Sequence, residues 1–195
     1  IAGTATGALL GMGPVYSQSA GFDVWETSML MAAAITAGAL LQFPLGRLSD
    51  KIWRTDVIIG VSALSVLVAV AVPFVPGQGA RVAAFILLGA LLLPLYALVL
   101  ALANDRLRPD QMVAAGSGLV LSFGVGAAAG PVAASTAIEL GGADGFFWVF
   151  VVLAGALTLG ALTTRSRENH GKADFLPTPL SSPNTPEERR EAHAE

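Results

Sequence analysis

Few residues in this 195-residue chain are equipped for covalent chemistry. Cysteine is absent, and both histidines, His170 and His193, fall in the polar C-terminal stretch. The carboxylates are scattered. Asp105 and Glu139 stand alone at the ends of apolar runs and read as interfacial residues. No nucleophile, metal-ligand cluster or carboxylate pair lies within reach of another, so the pattern argues against an enzyme and no cofactor or metal is expected. One cluster does stand out: Gly46, Arg47, Asp50, Lys51 and Arg54. Charges of both signs packed so closely can pair with one another and interact with helix-end dipoles. A second set is polar and uncharged. Gln42, Tyr96, Asn104, Ser117 and Ser122 sit in or at the end of apolar runs, where they can meet a solute or bond to a neighbouring helix. Tyr16, Ser17 and Gln18 close the first run in the same way.

The elements that must position these residues follow from the distribution of charge. Hydrophobic residues make up 54% of the chain and charged ones only 13%, roughly half the usual share of about 25%. The charges cluster, which leaves six charge-free runs at 1–22, 27–46, 57–80, 82–104, 111–138 and 145–164. A membrane crossing needs about 20 mostly apolar residues, and each run is long enough. Helices are placed at 1–16, 27–45, 57–75, 82–103, 111–137 and 145–164. Thr27-Ser28 can cap the second and Pro109-Asp110 precedes the fifth. Pro73, Pro76, Gly77 and Gly79 mark the turn after the third, and Gly141-Gly142 the turn after the fifth.

Basic residues give the runs a direction. Arg47, Lys51, Arg54, Arg106, Arg108, Arg165, Arg167 and Lys172 fall on one side of the alternating loops, and Arg81 alone on the other. Positive residues stay cytoplasmic, so both ends of the chain are expected inside. From residue 165 the sequence turns polar and proline-rich, a composition that cannot bury a core. Thr185 and Glu188 have capping-box spacing there, which would start a short helix over 186–194. The chain opens at Ile1 with neither an initiator methionine nor a charged leader, which suggests a piece of a longer protein. No basic patch interleaved with aromatics is present, so no nucleic-acid partner is expected.

The segment Gly46-Arg47-Leu48-Ser49-Asp50-Lys51-Ile52-Trp53-Arg54 resembles the major facilitator superfamily signature G-x-L-x-D-[RK]-x-G-R-[RK]. Gly46, Leu48, Asp50, Lys51 and Arg54 fall in register, whereas Trp53 replaces the second glycine and Thr55-Asp56 the closing basic residues. Leu93-Pro94-Leu95-Tyr96, Pro109-Asp110-Gln111, Gly124-Val125-Gly126 and Gly130-Pro131 are similar to the tenth and eleventh helices of the YcaD-like branch. The resemblance covers about residues 1–165. It implies an all-α integral membrane fold, a six-transmembrane-helix bundle of two inverted three-helix repeats. These would be spans seven to twelve of a twelve-span carrier in a bacterial inner membrane. Its partners would be membrane lipid, the N-terminal six-helix half and a small-molecule solute. Gly46, Arg47, Asp50, Lys51 and Arg54 would be the cytoplasmic gating motif.

Small residues complete the picture, because membrane helices pack where backbones approach closely. Gly3, Gly7 and Gly11 line the first helix; Gly118, Ser122, Gly126 and Gly130 the fifth; Ala34, Gly38, Gln42 and Gly46 the second. The third and sixth, rich in Leu and Val, are expected to face lipid. Pro94 should kink the fourth helix and make Tyr96 the leading cavity residue. The expected function is secondary transport of a small solute by alternating access, through a neutral cavity that favours neutral or amphiphilic solutes. The alternative is a non-transporting membrane sensor or assembly factor acting through the tail over 165–195.

Overall fold

The computed structural model describes residues 1–75, 77–105, 107 and 112–173. Residues Ile1–Arg165 form one compact unit. Among the described residues the fold is all α, with five helices and one 3-10 turn. They are α1 (Ala2–Ser19), α2 (Val24–Lys51), α3 (Arg54–Ala71), the turn Val72–Phe74, α4 (Gln78–Asn104) and α5 (Met112–Ala173). Four stretches are long and apolar enough to cross a membrane: Val24–Lys51, Arg54–Phe74, Gln78–Asn104 and Ala114–Ser166.

Where six helices were expected, α5 runs continuously from Met112 and breaks only at Gly142 (φ 64°, ψ −157°). That backbone suits a residue without Cβ, and it lies where the sequence placed a turn. Past the break, Gly145 sits against the Ala137 carbonyl so closely that a Cβ would not fit. Helix α5 also continues to Ala173 and does not stop at 164. The proposed cap at Pro109-Asp110 and the helix over 186–194 lie outside the described residues.

Both ends of α2 also differ from the sequence reading. Asp23, not Thr27-Ser28, caps α2, through a reciprocal box with Glu26. Asp23 Oδ1 accepts the Glu26 N–H at 2.7 Å, and Glu26 Oε2 accepts the Asp23 N–H at 2.9 Å. Thr27 is buried instead and pairs with Ser17 Oγ at 3.0 Å, tying α1 to α2. At the far end α2 reaches Lys51 and does not stop at 45, so Gly46 lies within the helix. The charges that mark a loop in the sequence occupy the last turns of this helix, where the side chains reach water and the backbone still bonds to itself.

Helix α4 is central and touches α1, α2 and α3. In its most apolar stretch 50% of residues are buried, against 17% in α2, which therefore has a broad open face. Close approach depends on small residues. Gly89 of α4 meets Ala34 of α2, and Gly38 of α2 meets Leu93 of α4. Helix α3 and the arm of α5 after Gly142 each bury one side and expose the other. Their buried sides are joined by a hydrogen bond from Thr158 Oγ1 to Ser62 Oγ at 2.8 Å.

Candidate functional site

The charged cluster assembles at the end of the bundle where α2 stops and α3 starts. Ile52 and Trp53 are extended and reverse the chain, which puts Arg54 on the first turn of α3. Its guanidinium then bridges two helices. Arg54 Nη2 contacts Asp50 Oδ1 at 3.0 Å, and Arg54 Nε contacts Asp105 Oδ2, at the end of α4, at 2.8 Å. A planar fork of donors suits this double role better than a lysine would. Arg54 is 26% exposed, Asp50 65% and Asp105 51%, so each pair contributes about 0–1 kcal/mol and is screened by salt. Such a tie is easily made and broken.

The other motif residues do separate things. Arg47 stacks on the Phe43 ring, its guanidinium carbon 4.1 Å from the centroid. Lys51 is exposed and makes no ion pair among the described residues. Asp56, one residue past the closing position of the signature, pairs with Arg165. The sequence alone reads Asp105 as no more than an interfacial helix end. Its place beside Arg106 and Arg108, on the side of the loops that also holds Arg54, was the available signal.

A groove of about 380 Å³ opens beside the cluster, walled by Gln42, Phe43, Gly46 and Arg47 of α2 and by Pro94 and Ala97 of α4. It lies where the α2 stripe leaves α4: Ala34 and Gly38 are in contact, while nothing approaches the Cβ position of Gly46. Gln42 is exposed to the groove. Tyr96 is half-buried, with its ring 4.1 Å from that of Phe123 on α5 and tilted by 44°. Ser122, next to Phe123, is exposed and donates to the Gly118 carbonyl of its own helix at 2.8 Å. Ser117 does the same to the Ala114 carbonyl at 2.9 Å. Asn104 lies apart from this group, exposed on the last turn of α4 beside Asp105.

The glycine stripes divide in two. Gly3, Gly7 and Gly11 of α1 meet Phe123, Ala127 and Pro131 of α5, and Gly126 and Gly130 return the contact against Thr4 and Ala8. Gly118 has nothing near it. Among the described residues the stripe read from the sequence thus packs at Gly126 and Gly130 and not at Gly118.

The opposite end is sealed differently. Tyr16 of α1, 1% exposed, stacks on Phe146 at 4.8 Å and Phe85 at 6.0 Å and meets the edge of Phe147 at 5.1 Å. Each such aromatic pair adds about 0.5–1.5 kcal/mol beyond its burial. Above it Arg81 of α4 lies 3.2 Å from Asp144, just past the α5 break. The Tyr16 hydroxyl is buried and has no hydrogen-bond partner among the described residues. An unmet buried hydroxyl costs about 1–3 kcal/mol. Sequence reasoning placed Tyr16 at a helix mouth and missed this pairing of α4 with α5.

Residues 1–192 match the family described as Major Facilitator Superfamily. Proteins named uncharacterized MFS-type transporter YcaD, from Escherichia coli strains K12 / DH10B and O157:H7, are each 34% identical to this chain over 131 residues. That similarity takes in 67% of this chain and 34% of each relative, so the chain spans about a third of the length of the curated relatives it matches. No solved structure matches.

Proposed function

The chain belongs to the major facilitator superfamily, as a multi-pass membrane protein, and from that premise we infer that it is the C-terminal half of a secondary transporter. In this reading residues 1–164 cross a bacterial inner membrane six times, and 165–195 form a cytoplasmic tail. The Gly142 break supports two crossings within α5, since Ala114–Ser166 counts 53 residues and one crossing needs about 20. The basic-residue alternation supports cytoplasmic ends. A small solute passes by alternating access, as this half rocks against an N-terminal half of six helices.

The observation that carries the reading is the Arg54 bridge. Gly46, Arg47, Asp50, Lys51 and Arg54 form the gating motif, and through Arg54 it grips the end of α4 as well as α2. A guanidinium shared by two carboxylates can trade one partner for another when the halves separate, at a cost of about 1 kcal/mol. Gln42, Tyr96, Ser117 and Ser122 are the cavity set on the open face, with Phe123 added as the partner of Tyr96. Asn104 belongs with the gate. The set carries no charge, which favours neutral or amphiphilic solutes.

Cysteine labelling of the full-length protein tests this. In a cysteine-free background, Ser122→Cys should react with a membrane-impermeant maleimide, while Leu159→Cys, exposed on the far arm of α5, should not. Equal protection of both positions would make the Ser122 face a lipid face and end the transporter reading.

A further inference from the structure

The end of the bundle opposite the motif holds a donor and an acceptor that are both unmet. Tyr16 Oη is buried without a hydrogen-bond partner among the described residues, and so is Asp144 Oδ1. Arg81 Nη2 lies 3.2 Å from that oxygen, a charge contact that does not satisfy hydrogen-bond geometry. Tyr16 meets the edge of Phe147, about one helical turn past Asp144 on α5, and Arg81 contacts Asp144, so all three groups lie at one end of the bundle. Arg81 also has somewhere to go. It lines a pocket of about 370 Å³ shared with Phe22, Phe74 and Gln78, and its side chain is 34% exposed. Asp144 follows the Gly142 break by two residues, and rotation about its own side-chain torsions can redirect the carboxylate.

We propose that this is a partner-exchange switch, in which Asp144 alternates between Arg81 of α4 and the Tyr16 hydroxyl of α1. In the conformation described, the carboxylate pairs with Arg81 and the hydroxyl goes unmet. In the second, Tyr16 Oη donates to Asp144 Oδ1, α1 is tied directly to α5, and the Arg81 guanidinium turns into the solvated pocket. The aromatic stack holds the Tyr16 ring in place in both, so only the partners change. Buried polar groups are nearly always satisfied, and an exchange of this kind satisfies all three groups across the two conformations.

The test is thermal stability of the full-length protein in lipid nanodiscs, and it depends neither on transport nor on the solute. In the native sequence at low salt, Tyr16→Phe should leave the folded-to-unfolded ratio unchanged or raise it, because the hydroxyl has no bond to lose and its unmet burial is unfavourable. In an Arg81→Gln background Asp144 has no cation, and the same substitution should lower the ratio about three- to tenfold, the worth of one hydrogen bond. Should the Arg81→Gln variant fail to fold, salt serves instead. Raising it from about 0.01 M to about 1 M shortens the screening length from roughly 30 Å to 3 Å, which weakens the half-exposed ion pair, so the Tyr16→Phe loss should grow with salt. An effect of Tyr16→Phe that is the same in both backgrounds, or at both salt concentrations if the Arg81→Gln variant does not fold, would overturn the proposal.

Discussion

The two ends of this bundle are closed by different physics. At the Arg54 end an exposed guanidinium ties Asp50 to Asp105, where water competes for every contact. At the Tyr16 end four aromatic rings, Tyr16, Phe85, Phe146 and Phe147, interlock out of reach of solvent, with an ion pair as a lid. The first end is held by interactions of about 0–1 kcal/mol that salt can tune. The second is held by packing, which changes by discrete rearrangement. In the proposed reading the first closure yields readily and the second keeps these helices together while it does.

Substitutions can break that contrast, and the largest effect should come from the sealed end. Phe146→Ala removes the ring that Tyr16, Phe85, Phe147 and Phe150 all touch. A thermal-melt series should show a loss of about 3 kcal/mol, the low end for core aromatics, since lipid already solvates apolar groups. Next is the seam between the ends. Gly7→Val places a branched side chain against the Ala127 backbone, for a loss of about 1–3 kcal/mol in the same assay. At the Arg54 end, Asp105→Asn removes a charge partner and should cost no more than about 1 kcal/mol, a difference that disappears near 1 M salt. Smallest is Ser62→Ala, which removes the acceptor of the Thr158 bond between α3 and α5 and should cost about 0.6 kcal/mol. If Asp105→Asn proved as damaging as Phe146→Ala, the contrast between the ends would collapse.

Much of this is legible in the sequence, and the misses share a cause. The charge-free runs locate the helices because apolar length is set by the membrane itself. The Gly141-Gly142 pair marks the α5 break because only glycine adopts that backbone readily. Helix ends go astray where charges sit in a terminal turn. Asp23 and Glu26 belong to the start of α2, and Gly46 through Lys51 to its end, yet their charge gives both the look of a loop. For the site, the residues of one loop are readable as a cluster. Asp105 with Arg54, Arg81 with Asp144 and Tyr96 with Phe123 are not, because each joins two helices whose mutual rotation no local pattern encodes. The stripe at Gly118 fails for the same reason: spacing shows that a face is small, but not what covers it.

Side-specific labelling of Ser122→Cys in the full-length protein reads out whether Arg54 holds a gate. In oriented vesicles an impermeant maleimide is added from one side at a time, with and without Arg54→Gln. Loss of the bridge to Asp50 and Asp105 should raise the cytoplasmic labelling rate several-fold relative to the opposite side, since about 1 kcal/mol of gate closure corresponds to roughly fivefold. An unchanged ratio between the two sides, with the protein still folded, would contradict it.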